Sequence, residues 1–294
     1  MFTSLAAVAG TQEPEYGPDA IQPVGTKPGE PVYTELSRQH LKWSTLDYTN
    51  VETQTFYVFT DAGHVGFFQV IYNNIAYAGR PSASLHQMPV LTISSGLRVT
   101  VQFNVKLFYP NNEKPFLWVS DPVSNYGFDE DKHSFFADGV SIELSADGNV
   151  YTIKAAVNDN SLVNVAFSRT APGYMAGKDG TSHYGTDPKA PWGSMHHHFW
   201  PRCTVDGTLI TKEGEISMKG RGMLSHALQG MKPHHAGTLP RRPDTGPPPQ
   251  TDYHSLTMEL CLLPIPVLFR YPHGVYYTRI LRIDHRSRRG PRYR

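Results

Sequence analysis

Three consecutive histidines, His196, His197 and His198, sit between two tryptophans, Trp192 and Trp200, in the stretch GTDPKAPWGSMHHHFWPRC. Imidazoles in such density offer metal ligation or proton transfer. In an extended strand, however, neighbouring side chains alternate faces, so at most two of the three point the same way. Zinc needs three or four convergent ligands. His234 and His235 lie too far along the chain to fix that geometry by spacing, so no metal is expected. The run Asp129, Glu130, Asp131 with His133 has the residue types for acid–base work, but it reads as a solvated loop beside a strand. Serine-hydrolase, zincin, P-loop and dinucleotide-binding spacings are missing. No catalytic residue and no cofactor is expected from these patterns.

The elements that would position such residues are strands. Gly (25) and Pro (24) make up about a sixth of the 294 residues, which favours short strands and turns over long helices. Val101, Phe103, Val105 and Leu107 alternate with Gln102, Asn104 and Lys106, as on a half-buried strand. Val140, Ile142 and Leu144 repeat the pattern before a turn at Ala146-Asp147-Gly148, and Val163, Val165 and Phe167 repeat it again. Residues 55–60 with 65–72, and 208–211 with 215–219, read as hairpins. The fold class expected is all-β, an antiparallel meander closed as a barrel.

Charge is uneven along the chain. Residues 270–294 hold eight of the 27 basic residues against one acid, so the rest, with 19 basic and 25 acidic residues, is an acidic body. That argues against nucleic acid as the main partner. Two cysteines, Cys203 and Cys261, give neither a disulfide framework nor metal spacing, which points to a reduced, cytosolic compartment. Met1, Phe2, Leu5 and Val8 fall at helical spacing, a short amphipathic segment with no Lys or Arg that would contact a membrane only by apolar insertion.

Several long motifs resemble the fungal oxidative-stress survival factor family. They are GTQEPEYGPDAIQPV, TNVETQTFY, GFDEDKHSFFADGVSIELSADGNVYTIK, the histidine–tryptophan stretch, GRGMLSHALQGMKPHH and TDYHSLTMEL. The resemblance implies a two-domain, lipocalin-like (calycin) protein that carries ceramide or a related sphingolipid between ER and Golgi without catalysis. It implies a cytoplasmic, largely monomeric protein with a nuclear pool and weak, reversible contact with ER and cis-Golgi membranes. The alternative is an enzyme acting on an apolar, terpenoid-like substrate inside the barrel.

On this reading residues 1–40 are the amphipathic segment and linker. Residues 41–212 form the first barrel, 213–260 begin a second, incomplete one, and 261–294 are a divergent Arg-rich tail. Residues 77–97 interrupt two strands that the family joins directly, and the match is broken again after His235 and after Cys261. A retained intron and shifted reading frames would produce all three departures. A barrel of about eight strands is either filled by its side chains or holds one small ligand. The resemblance points to the second, with Phe56, Phe67, Phe103, Val105, Trp118, Phe135, Trp192 and Trp200 as the expected lining.

Overall fold

The computed structural model describes residues 20–25, 29–75 and 98–231. The amphipathic segment (Met1, Phe2, Leu5, Val8), the 77–97 interruption, His234, His235, Cys261 and the basic tail lie outside the described residues. Among the described residues, sixteen strands and two short 3-10 turns (Arg38–Leu41 and Pro110–Asn112) make up the elements. No α-helix occurs among the described residues.

The strands in chain order are β1 (Ile21–Gln22), β2 (Tyr33–Glu35), β3 (Asn50–Thr60), β4 (Val65–Ile75), β5 (Arg98–Phe108) and β6 (Leu117–Pro122). There follow β7 (Gly127–Phe128), β8 (Phe135–Ala137), β9 (Val140–Leu144), β10 (Val150–Ala155) and β11 (Leu162–Arg169). The set ends with β12 (Tyr174–Ala176), β13 (Thr181–Tyr184), β14 (Gly193–Thr211), β15 (Gly214–Ser217) and β16 (Gly220–Gly230).

Turn chemistry sets the meander. The β3–β4 hairpin closes where the Thr60 amide donates to the His64 carbonyl (2.9 Å), with Gly63 at φ +88° inside the loop. Between β9 and β10 the Ser145 hydroxyl accepts the Asn149 and Val150 amides. The hairpin expected from the sequence is present, but β14 turns into β15 through two residues, with Thr211 opposite Gly214, so the second strand starts one residue earlier than the pattern placed it.

All pairings are antiparallel, in the order β6-β5-β4-β3-β16-β14-β11-β10-β9-β8-β7. The two ends of that path, β6 and β7, are consecutive in the chain. In the link between them the Val123 amide donates to Val101 of β5, and the Ser124 carbonyl accepts from Asp138 beyond β8 (both 2.9 Å). The Asn158 amide also donates to the Asp121 carboxylate of β6 at 2.5 Å. The sheet therefore curls back on itself into a barrel, which protects its edges.

β16 lies between β3 and β14, pairing with both over most of its length. The boundary expected after Lys212 is thus corrected: β15 and β16 complete the first barrel instead of opening a second. Ile75 of β4 pairs with Arg98 of β5, so the chain leaves and rejoins the ladder at adjacent positions around the interruption.

The core sits inside the barrel. Phe56, Phe68, Phe103, Phe135, Ile142, Tyr151, Ile153, Phe167, Trp200 and Leu209 are fully buried there. Burial of side chains this large supplies about 1.5–3 kcal/mol each.

Candidate functional site

β14 is long enough to contribute two environments. Period-two alternation turns His196, His198 and Trp200 inward and His197 and Phe199 outward. The His196 and His198 rings meet at 4.1 Å, while His197 stacks on Phe199 at 5.9 Å. Two of three imidazoles share a face, the limit that strand geometry sets. On β16, His226 stands opposite His198, with rings 6.3 Å apart. On β3, Glu52 and Gln54 share the inward face with Phe56 and Val58. His40, from the 3-10 turn, reaches His198 at 5.7 Å.

Glu52 is fully buried, yet its carboxylate is well supplied. The Ser44 amide donates to both oxygens (2.8 and 3.0 Å), the Thr45 amide to Oε2 (2.9 Å), and the His226 Nε2–H to Oε1 (2.9 Å). These bonds hold Thr45 at φ +45°, an uncommon conformation for a β-branched residue. Trp43, immediately before Ser44 and Thr45 in the chain, enters the barrel mouth, its ring 5.3 Å from His226. The entry segment, β3, β14 and β16 thus converge on one polar end of the interior.

Desolvation dominates there. It lowers the His196 pKa, and it pushes His198 down to about 3, with His196 and His226 adding repulsion. His197, on the opposite face, is lowered by burial to about 4. Burial raises the Tyr151 hydroxyl above its ordinary range. Histidines 196, 197 and 198 are therefore neutral at neutral pH. No group of three or more His, Cys, Asp or Glu side chains is arranged to hold a metal ion among the described residues.

The expected lining residues separate into three groups. Phe56, Phe103, Val105, Phe135 and Trp200 join the single interior cluster. Phe67 and Trp118 stand on the outer face, 6.1 Å apart, with the Lys106 ammonium 4.8 Å over the Trp118 ring. The reason is register: Phe68 takes the inward position on β4, and Trp118 pairs with Lys106, which alternates with inward Val105 and Leu107. Trp192, at the foot of β14, packs on Tyr184 at 5.6 Å.

The interior rings also lie against one another. Tyr151 contacts Trp200 at 5.0 Å and Phe56 at 5.2 Å, and Phe56 contacts Phe167 at 5.3 Å. The space expected to be hollow is thus filled around these rings. A cleft of about 290 Å³ lies at the opposite end of the barrel, lined by His64, Tyr109, Ile216 and the exposed Lys114–Glu213 ion pair (2.7 Å).

Sequence reasoning missed Trp43, Glu52, Gln54, Tyr151 and His226. A signal existed: Glu52 and Gln54 continue, at period two, the face of Phe56 and Val58, which marks a polar end on an inward face.

The profile of the Svf1 family matches residues 1–239. The Aspergillus fumigatus protein named ceramide-binding protein svf1 is 52% identical over 234 residues, covering 80% of this chain and 54% of that protein. Its Emericella nidulans counterpart of the same name is 50% identical over 238 residues, 80% of this chain and 58% of that protein. The chain spans just over half the length of these curated relatives. Among solved structures, a Nitrosomonas europaea protein assigned as AttH superposes with a TM-score of 0.46 at 16% identity, over 70% of this chain and 58% of that one. Kievitone hydratase of Nectria haematococca gives 0.38 at 9% identity, over 71% and 56%.

Proposed function

The chain belongs to the Svf1 family, and from that premise we propose that it binds a ceramide-type sphingolipid without chemical conversion and takes part in its transfer between ER and Golgi membranes, supporting survival under oxidative stress. The observation that carries this reading is the relatives' name, ceramide-binding protein, attached to sequences about half identical over 80% of this chain. Transfer of a two-chain lipid is a solubility problem. At about 0.8 kcal/mol per methylene, roughly 30 methylenes face roughly 25 kcal/mol of unfavourable hydration, so spontaneous desorption is slow. A protein that shields part of that surface and touches membranes reversibly needs no catalytic group.

The packed interior limits where acyl chains fit. They enter by parting the rings, or they lie on apolar outer surface such as Phe108, Phe116 and Trp118, which are 42%, 55% and 37% exposed. The part of the relatives that this chain does not span would add further cover. Met1, Phe2, Leu5 and Val8 would supply weak membrane contact. A cytoplasmic monomer, peripheral on ER and cis-Golgi with a nuclear pool, fits this role.

One observation favours a second reading, an enzyme acting on an apolar substrate: the buried Glu52–His226 pair beside neutral histidines has the components of an acid–base site. Mass spectrometry of lipid co-purified with the protein distinguishes the two. Intact ceramide in stoichiometric amount supports the carrier. Recovery of a product, with conversion of added substrate by the protein alone, replaces it with the enzyme.

A further inference from the structure

The polar end of the barrel holds more hydrogen-bonding atoms than it satisfies. Trp43 Nε1, both amide atoms of Gln54, the Tyr151 hydroxyl, His198 Nε2, Trp200 Nε1 and His226 Nδ1 are buried and make no hydrogen bond. Their parent side chains are at least nine-tenths buried, and they are contiguous. Gln54 is the register partner of His226, which is the partner of His198; Trp43 packs on His226, and Tyr151 on Trp200. The Tyr151 hydroxyl faces the Gln54 amide without reaching hydrogen-bonding geometry. A buried polar atom left unmet is destabilising, so a native interior that collects seven in one place has them for a partner.

The mixture of donors and acceptors identifies the partner's chemistry. The indole N–H groups and the Gln54 Nε2 donate. Gln54 Oε1 accepts, and His226 Nδ1 is the ring nitrogen left over once Nε2 is committed to Glu52. One His198 nitrogen faces the His40 backbone, leaving Nε2 as an acceptor. The guanidiniums near the cluster are already engaged. Arg38 donates to the Ser145 and Ala146 carbonyls at 2.7 and 3.2 Å, and Arg169, 5.5 Å from the Trp200 ring centroid, donates to Asn149 Oδ1 at 2.7 Å. Glu52 places a carboxylate beside the cluster.

We infer that Trp43, Gln54, Tyr151, His198, Trp200 and His226 form a binding site for the neutral, amide- and hydroxyl-bearing head of a lipid, and that this site rejects the phosphorylated form of the same head. The inference rests on the lipid-binding reading above and deepens it. An amide and two hydroxyls bring both donors and acceptors and no charge, and they match the unmet atoms in kind. A phosphate would enter beside a buried carboxylate, with both nearby guanidiniums already held by other acceptors.

The test uses the full chain, a short-chain soluble ceramide and its 1-phosphate in titration calorimetry, and a diazirine-bearing ceramide whose adducts are located by mass spectrometry. Tyr151→Phe and Gln54→Leu each remove unmet polar atoms and keep the volume close, so thermal stability should hold or rise while ceramide affinity falls at least tenfold. A purely structural role would move stability and leave affinity alone. Binding of the 1-phosphate should be at least 100-fold weaker, and adducts should fall on peptides carrying residues 43–54 and 196–200.

Ceramide binding that is unchanged in both folded variants, or adducts confined to residues 106–118, overturns the site and leaves the lipid-binding reading standing. Equal affinity for the 1-phosphate overturns the preference for a neutral head. Absence of any ceramide binding by the wild-type chain removes the lipid-binding reading and the site with it.

Discussion

Glu52 illustrates how one buried charge can organise a site. Its carboxylate is the shared acceptor of two backbone amides and one imidazole, and the amides belong to the segment that seats Trp43 in the barrel mouth. Removing the acid leaves three donors unmet, whereas removing His226 leaves the acid with its amide bonds. The two substitutions should therefore be unequal. Glu52→Leu is expected to lose about 3–5 kcal/mol in urea unfolding, and His226→Leu about 1–2 kcal/mol. Equal losses would mean that the imidazole, not the backbone amides, is what the carboxylate holds in place.

At the scale of strands, packing between neighbours decides what is tolerated. Gly222 of β16 faces the core, where an added Cβ would lie 2.7 Å from the Phe167 ring and 2.7 Å from a Val205 methyl, and 2.6 Å from the Tyr57 carbonyl. Gly222→Val should cost about 2–4 kcal/mol by overpacking, measured as a fall in the midpoint of chemical unfolding. The opposite is expected between β4 and β5. Because Ile75 and Arg98 already pair, replacing residues 76–97 with a two-residue Asn-Gly turn should change stability by less than about 1 kcal/mol and leave the circular dichroism of the barrel intact.

Elements of this kind were legible in the sequence where alternation was strict. Val101 to Leu107, Val140 to Leu144 and Val163 to Phe167 all face inward as their period requires. Adjacent aromatics such as Phe67 and Phe68 were ambiguous, since period two admits one of them and register with β5 decides which. The place of β16 was hidden for a different reason: pairing between residues 50–60 and 220–230 is a long-range closure that no local pattern encodes. The site was hidden likewise, because Gln54, Tyr151 and His198 meet only after the barrel closes.

For the whole molecule, the buried histidines tie the fold to pH. His196, His197 and His198 all have pKa values lowered chiefly by desolvation, the last two to about 4 and about 3. In the unfolded chain they titrate near 6.5, so below that pH the unfolded state takes up protons that the folded state refuses. Stability is complete above about pH 6.5 and falls as the pH drops toward 4, by up to about 1.4 kcal/mol per pH unit for each histidine. Asp147, whose pKa the Ser145 and Asn149 hydrogen bonds lower, withdraws its own contribution only below the ordinary carboxylate range, so it does not mask the histidine window. Between pH 7.5 and 5 the chain should lose about 2–4 kcal/mol, seen as a drop of several degrees in Tm. His198→Phe fills a similar space with a group that takes no proton, and it should flatten that slope while the curve above pH 7 moves little. A wild-type Tm that stays level down to pH 5 would show instead that the folded barrel accepts these protons, with Glu52 as their counter-charge.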